Sequence, residues 1–364
     1  MKSTLLFLSV FLSANLFGQN VNIPDANFKA YLVGEPLINT NGDSEIQISE
    51  ASTFSGAIFC SSLNISDLTG IEAFTSLTEL VCYSNQLISL NVSNNNALTI
   101  LYCDDNQITS LDVSNNTNLI HFSMWGNQLT SLDVSNNTAL TTLECTENNL
   151  TSLDVSNNSA LTGLGCSSNQ LTSLDVSSNT ALTRLRCIAN QLTSLDVSNN
   201  TALEDFLDCS GNQLTSLDVS NNTALNLLDC SDNQLTYLDV STNTDLVELY
   251  CHSNQLQCLN VNNSNNTNFL SFFADNNPNL TCIEVDNVSY STNNWPYIDS
   301  FAYFSLNCNN ACSNTSSISE LNNTPKQLIN IVDLLGRETP FKPNTPLLYI
   351  YDDGTVERKM TINP

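Results

Sequence analysis

Two short bursts of alternating apolar and polar residues recur along most of the chain. In Leu140-Thr-Thr-Leu-Glu-Cys145, Leu143 and Cys145 alternate with Thr142 and Glu144. In Ser131-Leu-Asp-Val-Ser135, Leu132 and Val134 do the same. A period of two marks an extended strand with one buried face. Asn, Ser and Thr fill the stretches between the bursts, and these residues favour turns. The pair of bursts returns with a fixed period: Leu129–Asn149 and Leu150–Gln170 are near copies. A repeat of about 21 residues is one coil of a solenoid. No coil can bury its apolar face alone, and stacking supplies the core. Stacked strands form a parallel sheet with coils about 4.8 Å apart, so about eleven coils extend roughly 50 Å. The return side is extended as well, because so short a coil leaves little room for a full helix.

Cysteine marks the phase. Cys82 and Cys103 are one period apart, and Cys145, Cys166 and Cys187 keep the spacing. Met124 fills the skipped slot, Cys209 comes one residue late after an insertion, and Cys230 and Cys251 resume the period. Cys60 precedes Cys82 by slightly more than one period, in a first coil. Downstream of each marker, at a fixed offset, comes asparagine: Asn85, Asn106, Asn127, Asn148, Asn169, Asn190, Asn212, Asn233 and Asn254. A buried amide at an inner turn can satisfy neighbouring backbone groups, so this ladder reads as structural. The pattern L-x-x-L-x-C-x-x-N-Q-L resembles the leucine-rich repeat. With its cysteine ladder it resembles the short repeats of bacterial internalin-like surface proteins, over roughly residues 60–285. The segment ISDLTGIEAFTSLTEL (65–80) resembles the commoner internalin repeat. The resemblance implies a leucine-rich repeat solenoid, formally α/β but mainly β here, that binds through a concave parallel sheet.

The ends differ from the body. Residues 1–19 combine Lys2, a Leu/Phe-rich run and small residues, the pattern of a secretory signal peptide. No other stretch is apolar enough for a membrane span. Residues 20–57 read as an N-terminal cap, with a short amphipathic helix starting at Asp25. Within it NTNGDSEIQISE (39–50) approximates a calcium loop, with Asn39, Asn41, Asp43 and Glu50 as side-chain ligands and Glu45 giving a carbonyl. Asn39 replaces the first acid and Ser44 the turn glycine, which weakens binding. The loop is either a structural calcium site or a plain turn. The solenoid runs over 58–286 and a C-terminal cap over 287–312, followed by a polar linker, 313–325. Residues 326–364 alternate apolar and polar, with a hairpin turn at Asp353-Gly354. Asp333-Leu-Leu-Gly-Arg337, Pro346, Tyr349-Ile-Tyr-Asp-Asp-Gly-Thr355 and Arg358-Lys359 together resemble the C-terminal sorting signal of the type IX secretion system of Bacteroidetes. That resemblance implies export by the type IX machinery, then release or attachment at the outer cell surface. A small terminal β-domain is the alternative.

Charge narrows the partners. The chain has 9 basic and 36 acidic residues. Outside Lys2 and residues 325–364 the cations are Lys29, Arg184 and Arg186, against 31 acids. Such a surface repels nucleic acid and anionic membranes. Asp112, Asp133, Asp154, Asp175, Asp196, Asp218 and Asp239 form a ladder whose repulsion requires offsetting backbone donors or cations. Their roughly 5 Å spacing evokes a retaining glycosidase, but equivalent acids in equivalent surroundings lack the single raised pKa that such chemistry needs. The ladder cysteines point inward as small buried hydrophobes too far apart to pair. Cys258, Cys282, Cys308 and Cys312 lie off the ladder, where disulfides fit a secreted protein. Cys282–Cys308 is the preferred pair, and Cys258–Cys282 stays open. With two histidines in the chain, zinc is not expected there.

Where the copies disagree is informative. Relative to each cysteine, positions −3, −1 and +1 point out from the sheet. They hold Tyr83, Tyr102, His121, Trp125, Glu144, Arg184, Arg186, Tyr250 and His252, while Ser-Leu-Asp-Val-Ser hardly varies. Exposed aromatics signal contact. Tyr83, Tyr102 and Trp125 are expected at equivalent positions of consecutive coils, a strip for sugar rings or protein loops. The reading is a secreted or cell-surface adhesion protein that recognises a glycan or protein ligand. A passive coat protein is the alternative. A secreted enzyme is disfavoured, since no nucleophile–base constellation is present and Cys251 and His252 face opposite ways along a strand.

Overall fold

The computed structural model describes residues 19–308, 328–332, 337, 339–340, 347–351 and 356–359. The expected leader (apart from Gln19), the linker, Cys312 and the Asp353-Gly354 turn lie outside these residues. Residues 1–312 and 313–364 form separate compact units.

In the first unit, helix α1 (Ala26–Gly34) starts where Asp25 places it. The Asp25 carboxylate accepts from Asn27 N at 2.9 Å and Phe28 N at 3.0 Å, leaving two fewer orphan donors at the helix end. Its second oxygen accepts from Ser66 N, which ties the cap to the first coils. Phe28 and Leu32 bury the inner side. Helix α2 (Ile48–Thr53) was not foreseen. Its six residues are too few to hold a helix alone, and a Gln47–Glu50 capping box holds them.

Strands β1 to β9 follow at Ala57–Phe59, Glu79–Val81, Ile100–Tyr102, His121–Ser123, Thr142–Glu144, Gly163–Gly165, Arg184–Arg186, Phe206–Asp208 and Leu227–Asp229. Then come β10 (Tyr237–Asp239), β11 (Glu248–Tyr250), β12 (Cys258–Val261), β13 (Ser271–Phe273), β14 (Cys282–Val285) and β15 (Tyr303–Ser305). Eleven of these pair in parallel, in the order β1 to β9, β11, β13. On the return side β10, β12, β14 and β15 form a second sheet, so the extended return segments become paired strands in the last coils. The second unit holds an antiparallel sheet, β16 (Leu328–Val332), β17 (Leu347–Tyr351) and β18 (Val356–Lys359).

Between the sides runs one core of Leu, Val and Cys. Leu143, Cys145, Leu150 and Val155 are fully buried, as are their equivalents in neighbouring coils. The nine ladder cysteines, Cys60 included, are free and buried. Burial pushes the Cys60 and Cys166 thiols up to about 12, so they behave as small apolar groups. Asn106 shows why the asparagines recur. Its Nδ2 donates to the carbonyls of Cys82, Cys103 and Asp104, and its Oδ1 accepts from Leu87 N at 2.9 Å. A second, unforeseen ladder runs through the other turn: Asn116, Asn137, Asn158, Asn179 and their equivalents, all fully buried. Asn158 Nδ2 donates to Val134 O at 3.0 Å and Asn137 O at 2.9 Å. The aspartate ladder is offset locally. Each carboxylate accepts from the backbone N–H of the serine that follows in the S-L-D-V-S burst, as Asp133 does from Ser135 at 2.9 Å, and the serines hold Asp133 and Asp154 below the usual carboxylate range.

At the C-terminal end helix α3 (Val288–Asn294), also unforeseen, delivers Trp295 to the core. Trp295 stacks on Phe272 at 4.1 Å and meets Phe269 and Phe304. Cys282 and Cys308 are bonded, and Cys258 is disulfide-bonded too.

Candidate ligand-binding face

Parallel in-register pairing turns the outward positions into columns across the sheet. One column runs Phe59, Val81, Tyr102, Ser123, Glu144, Gly165, Arg186, Asp208, Asp229, Tyr250, Phe273. A parallel column runs Glu79, Ile100, His121, Thr142, Gly163, Arg184, Phe206, Leu227, Glu248. The registers correct the expected aromatic strip. Tyr102 is level with Val81 and Ser123, not with Tyr83 and Trp125. Tyr83 and Trp125 follow their ladder residues, whereas Tyr102 precedes Cys103, so the rings lie in two rows. Asp104 stands between Tyr83 and Trp125 in the outer row.

The N-terminal third of this face is apolar and aromatic. Phe59 is 59% exposed, Tyr83 43% and Trp125 38%, so large rings meet solvent on neighbouring coils. Asp104 accepts from Trp125 N at 2.8 Å and from the Ser123 hydroxyl. Burial pushes its carboxyl up, against these hydrogen bonds. Tyr102, Asp104, Phe122, Ser123, Thr142 and Glu144 line a hollow of about 190 Å³.

Charge occupies the middle third, and two glycines make room for it. A Cβ on Gly165 would collide with Glu144 Oε2, and one on Gly163 would fall 2.6 Å from Arg184 Nε. Both long side chains therefore lie along the sheet over the glycine coil. Burial raises the Glu144 pKa, and the Arg186 and Arg184 charges draw it back in part. Arg186 lies over the Phe206 ring, 4.6 Å from its centroid, a cation–π contact. The C-terminal third carries Asp208, Asp229 and Glu248, then Tyr250, with His252 edge-on to Phe273.

Several members of this face were not singled out from the sequence. Phe59 precedes the first regular coil. Phe206 lies in the insertion coil. Phe273 precedes Ala274, which replaces the cysteine phase marker.

The loop at 39–50 brings Asn39, Asn41, Asp43 and Glu50 together, but its acceptors are engaged. Glu50 accepts from Thr40 N, Asn41 N and Gln47 N. Asp43 accepts from Asn41 Nδ2, Gln47 Nε2 and Glu45 N. Asn39 Nδ2 donates to Val33 O and Asp43 O. The Glu45 side chain turns to Lys29, at 2.7 Å. These hydrogen bonds fit the plain turn.

Short stacked coils, a leucine core and a cysteine ladder define an internalin-like leucine-rich repeat solenoid. The functional domain of InlJ from Listeria monocytogenes, which includes a cysteine ladder, is 37% identical with a TM-score of 0.62. The match covers 76% of this chain and 65% of that one, so this chain spans under two thirds of the InlJ domain's length. An internalin, InlF, of the same species is 22% identical (TM-score 0.59), covering 76% and 89%. Its internalin C2 is 17% identical (TM-score 0.52), covering 58% and 98%. The last two show the fold alone. No family profile and no curated protein matches the chain. Among the described residues no helix is long and apolar enough to cross a membrane.

Proposed function

We propose that the protein is a secreted or cell-surface binding protein that recognises a protein or glycan through the concave face of its sheet. One observation carries this reading: the repeat departs from its own consensus mainly on the outward columns, while the return side stays nearly constant. Copies that drifted without function would differ at exposed sites on both sides. Solenoids use such open faces for binding. The leader-like residues 1–19 and the sorting-signal resemblance of 326–364 support export by type IX machinery. The loop at 39–50 closes on its own hydrogen bonds, as a plain turn does.

The test is a binding screen of the full chain against glycans and extracellular proteins. A variant carrying Tyr83→Ala, Tyr102→Ala and Trp125→Ala is screened in parallel. The expected result is a ligand retained by the native chain and lost by the variant. Equal retention of both on every positive surface would sink the reading.

A further inference from the structure

The C-terminal third of the sheet holds a second feature, separate from the Tyr83–Trp125 region. Tyr250 stacks on Phe273 with centroids 5.3 Å apart and planes 18° apart. Phe273 stacks on Tyr297 at 4.3 Å and 11°. Three rings thus form a continuous column across the last coils, and Tyr297 at its end is 52% exposed. Both faces of Phe273 are covered by its neighbours. The open surfaces are the ring edges, the outer face of Tyr297 and the face of Tyr250 on the Asp229 side.

Charge decides what fits. Asp229 and then Asp208 occupy the two register positions next to Tyr250. Glu248 accepts the Tyr250 hydroxyl at 2.8 Å. Two carboxylates, Asp229 and Glu248, therefore flank one open ring face, and Asp208 stands one coil further on, beside Arg186. The Arg186 guanidinium, in register with Asp208, is engaged over Phe206. A cation placed against a ring face gains from the ring quadrupole, and more when carboxylates flank it. A sugar stacks on a broad open ring face, and both faces of Phe273 are already covered; an anion is repelled.

We propose that this end of the sheet docks a lysine- or arginine-bearing segment of a partner protein, with the cation against Tyr250 between Asp229 and Glu248. The inference rests on the sheet being a binding face, but on different residues from those tested above.

The probe is a short fluorescent oligolysine peptide. Its binding to the full chain is followed by anisotropy at about 0.1 M salt, where long-range attraction is screened. The face variant is Asp208→Asn, Asp229→Asn, Glu248→Gln. The control variant, Asp133→Asn, Asp154→Asn, Asp175→Asn, removes the same charge from the return side. The face variant is expected to bind about tenfold more weakly or worse, and the control within about twofold of the native chain. A single Tyr250→Leu variant, which keeps the bulk and loses the ring, should bind several-fold more weakly. That variant decides the matter if the triple face variant does not fold. The Tyr83/Tyr102/Trp125 variant should bind the peptide normally, so this site and the proposed N-terminal contact can fail independently. Equal weakening by face and control variants would overturn the proposal, because only net charge would then matter. So would a native chain that ignores the peptide, or displacement of the peptide by a neutral oligosaccharide at equal concentration.

Discussion

Glu144 shows how one residue's behaviour depends on what its neighbour lacks. It lies over Gly165 because no side chain there excludes it, and the same slot removes it from water. Burial raises its pKa above the ordinary 4.5 despite Arg186 and Arg184. A carboxyl whose pKa is higher in the folded chain holds its proton more tightly there. Ionisation then costs stability, which falls as pH rises from the ordinary value through the folded one. Glu144→Gln removes this cost. Its melting temperature should gain on that of the native chain between about pH 4 and pH 7. A constant difference over that range would contradict the burial argument. Legibility at this scale followed the cysteine phase. Glu144, Arg184 and Arg186 sit in regular coils and were legible. Phe273 was not, because Ala274 hides the phase. Tyr83 and Tyr102 fall in different rows, one after its cysteine and one before, since a strand repeats its face at every second position.

At the scale of the coil, the two asparagine ladders do unequal work. Asn158 closes two buried carbonyls. Asn169 closes those of Cys145, Cys166 and Ser167 and also receives Leu150 N at 2.9 Å. In Asn158→Ala both carbonyls keep a backbone donor, Val134 O from Asn137 N and Asn137 O from Leu140 N, so the cost is about 1 kcal/mol, and Asn169→Ala should cost more, about 1–3 kcal/mol, because the buried Leu150 N–H loses its acceptor. Urea unfolding of the two variants measures the order, and the reverse order would count against this account. The first ladder was legible from its fixed offset to cysteine. The second was masked by the Asn-Asn pairs of the turn, of which only the second residue is buried. Helix α1 announced itself through Asp25. Helices α2 (Ile48–Thr53) and α3 (Val288–Asn294) are too short for an apolar period to emerge. The insertion before Cys209 is absorbed where Glu204 N and Asp205 N both donate to Thr183 O, so β8 returns to register.

Over the whole solenoid, each coil contacts mainly its neighbours, so the ends govern opening. The N-terminal end is closed by α1 and α2. The C-terminal end relies on Trp295 and on the Cys282–Cys308 bond, whose cysteines are 26 apart in sequence. A loop of that length contributes about 3.5 kcal/mol by chain entropy. In a Cys282→Ser, Cys308→Ser variant, hydrogen exchange should accelerate first at β13 and β14, while β2 to β5 keep native protection. Uniform acceleration would mean that the coils open together. The repeat itself carries a different implication. Coils Leu129–Asn149 and Leu150–Gln170 carry nearly the same residues at their stacking positions. After an in-frame deletion or duplication of a whole coil, any coil could stack on the next survivor. The distance between the aromatic N-terminal third and the ring stack at Tyr250 would then change heritably, in steps of about 4.8 Å, without a single substitution in either.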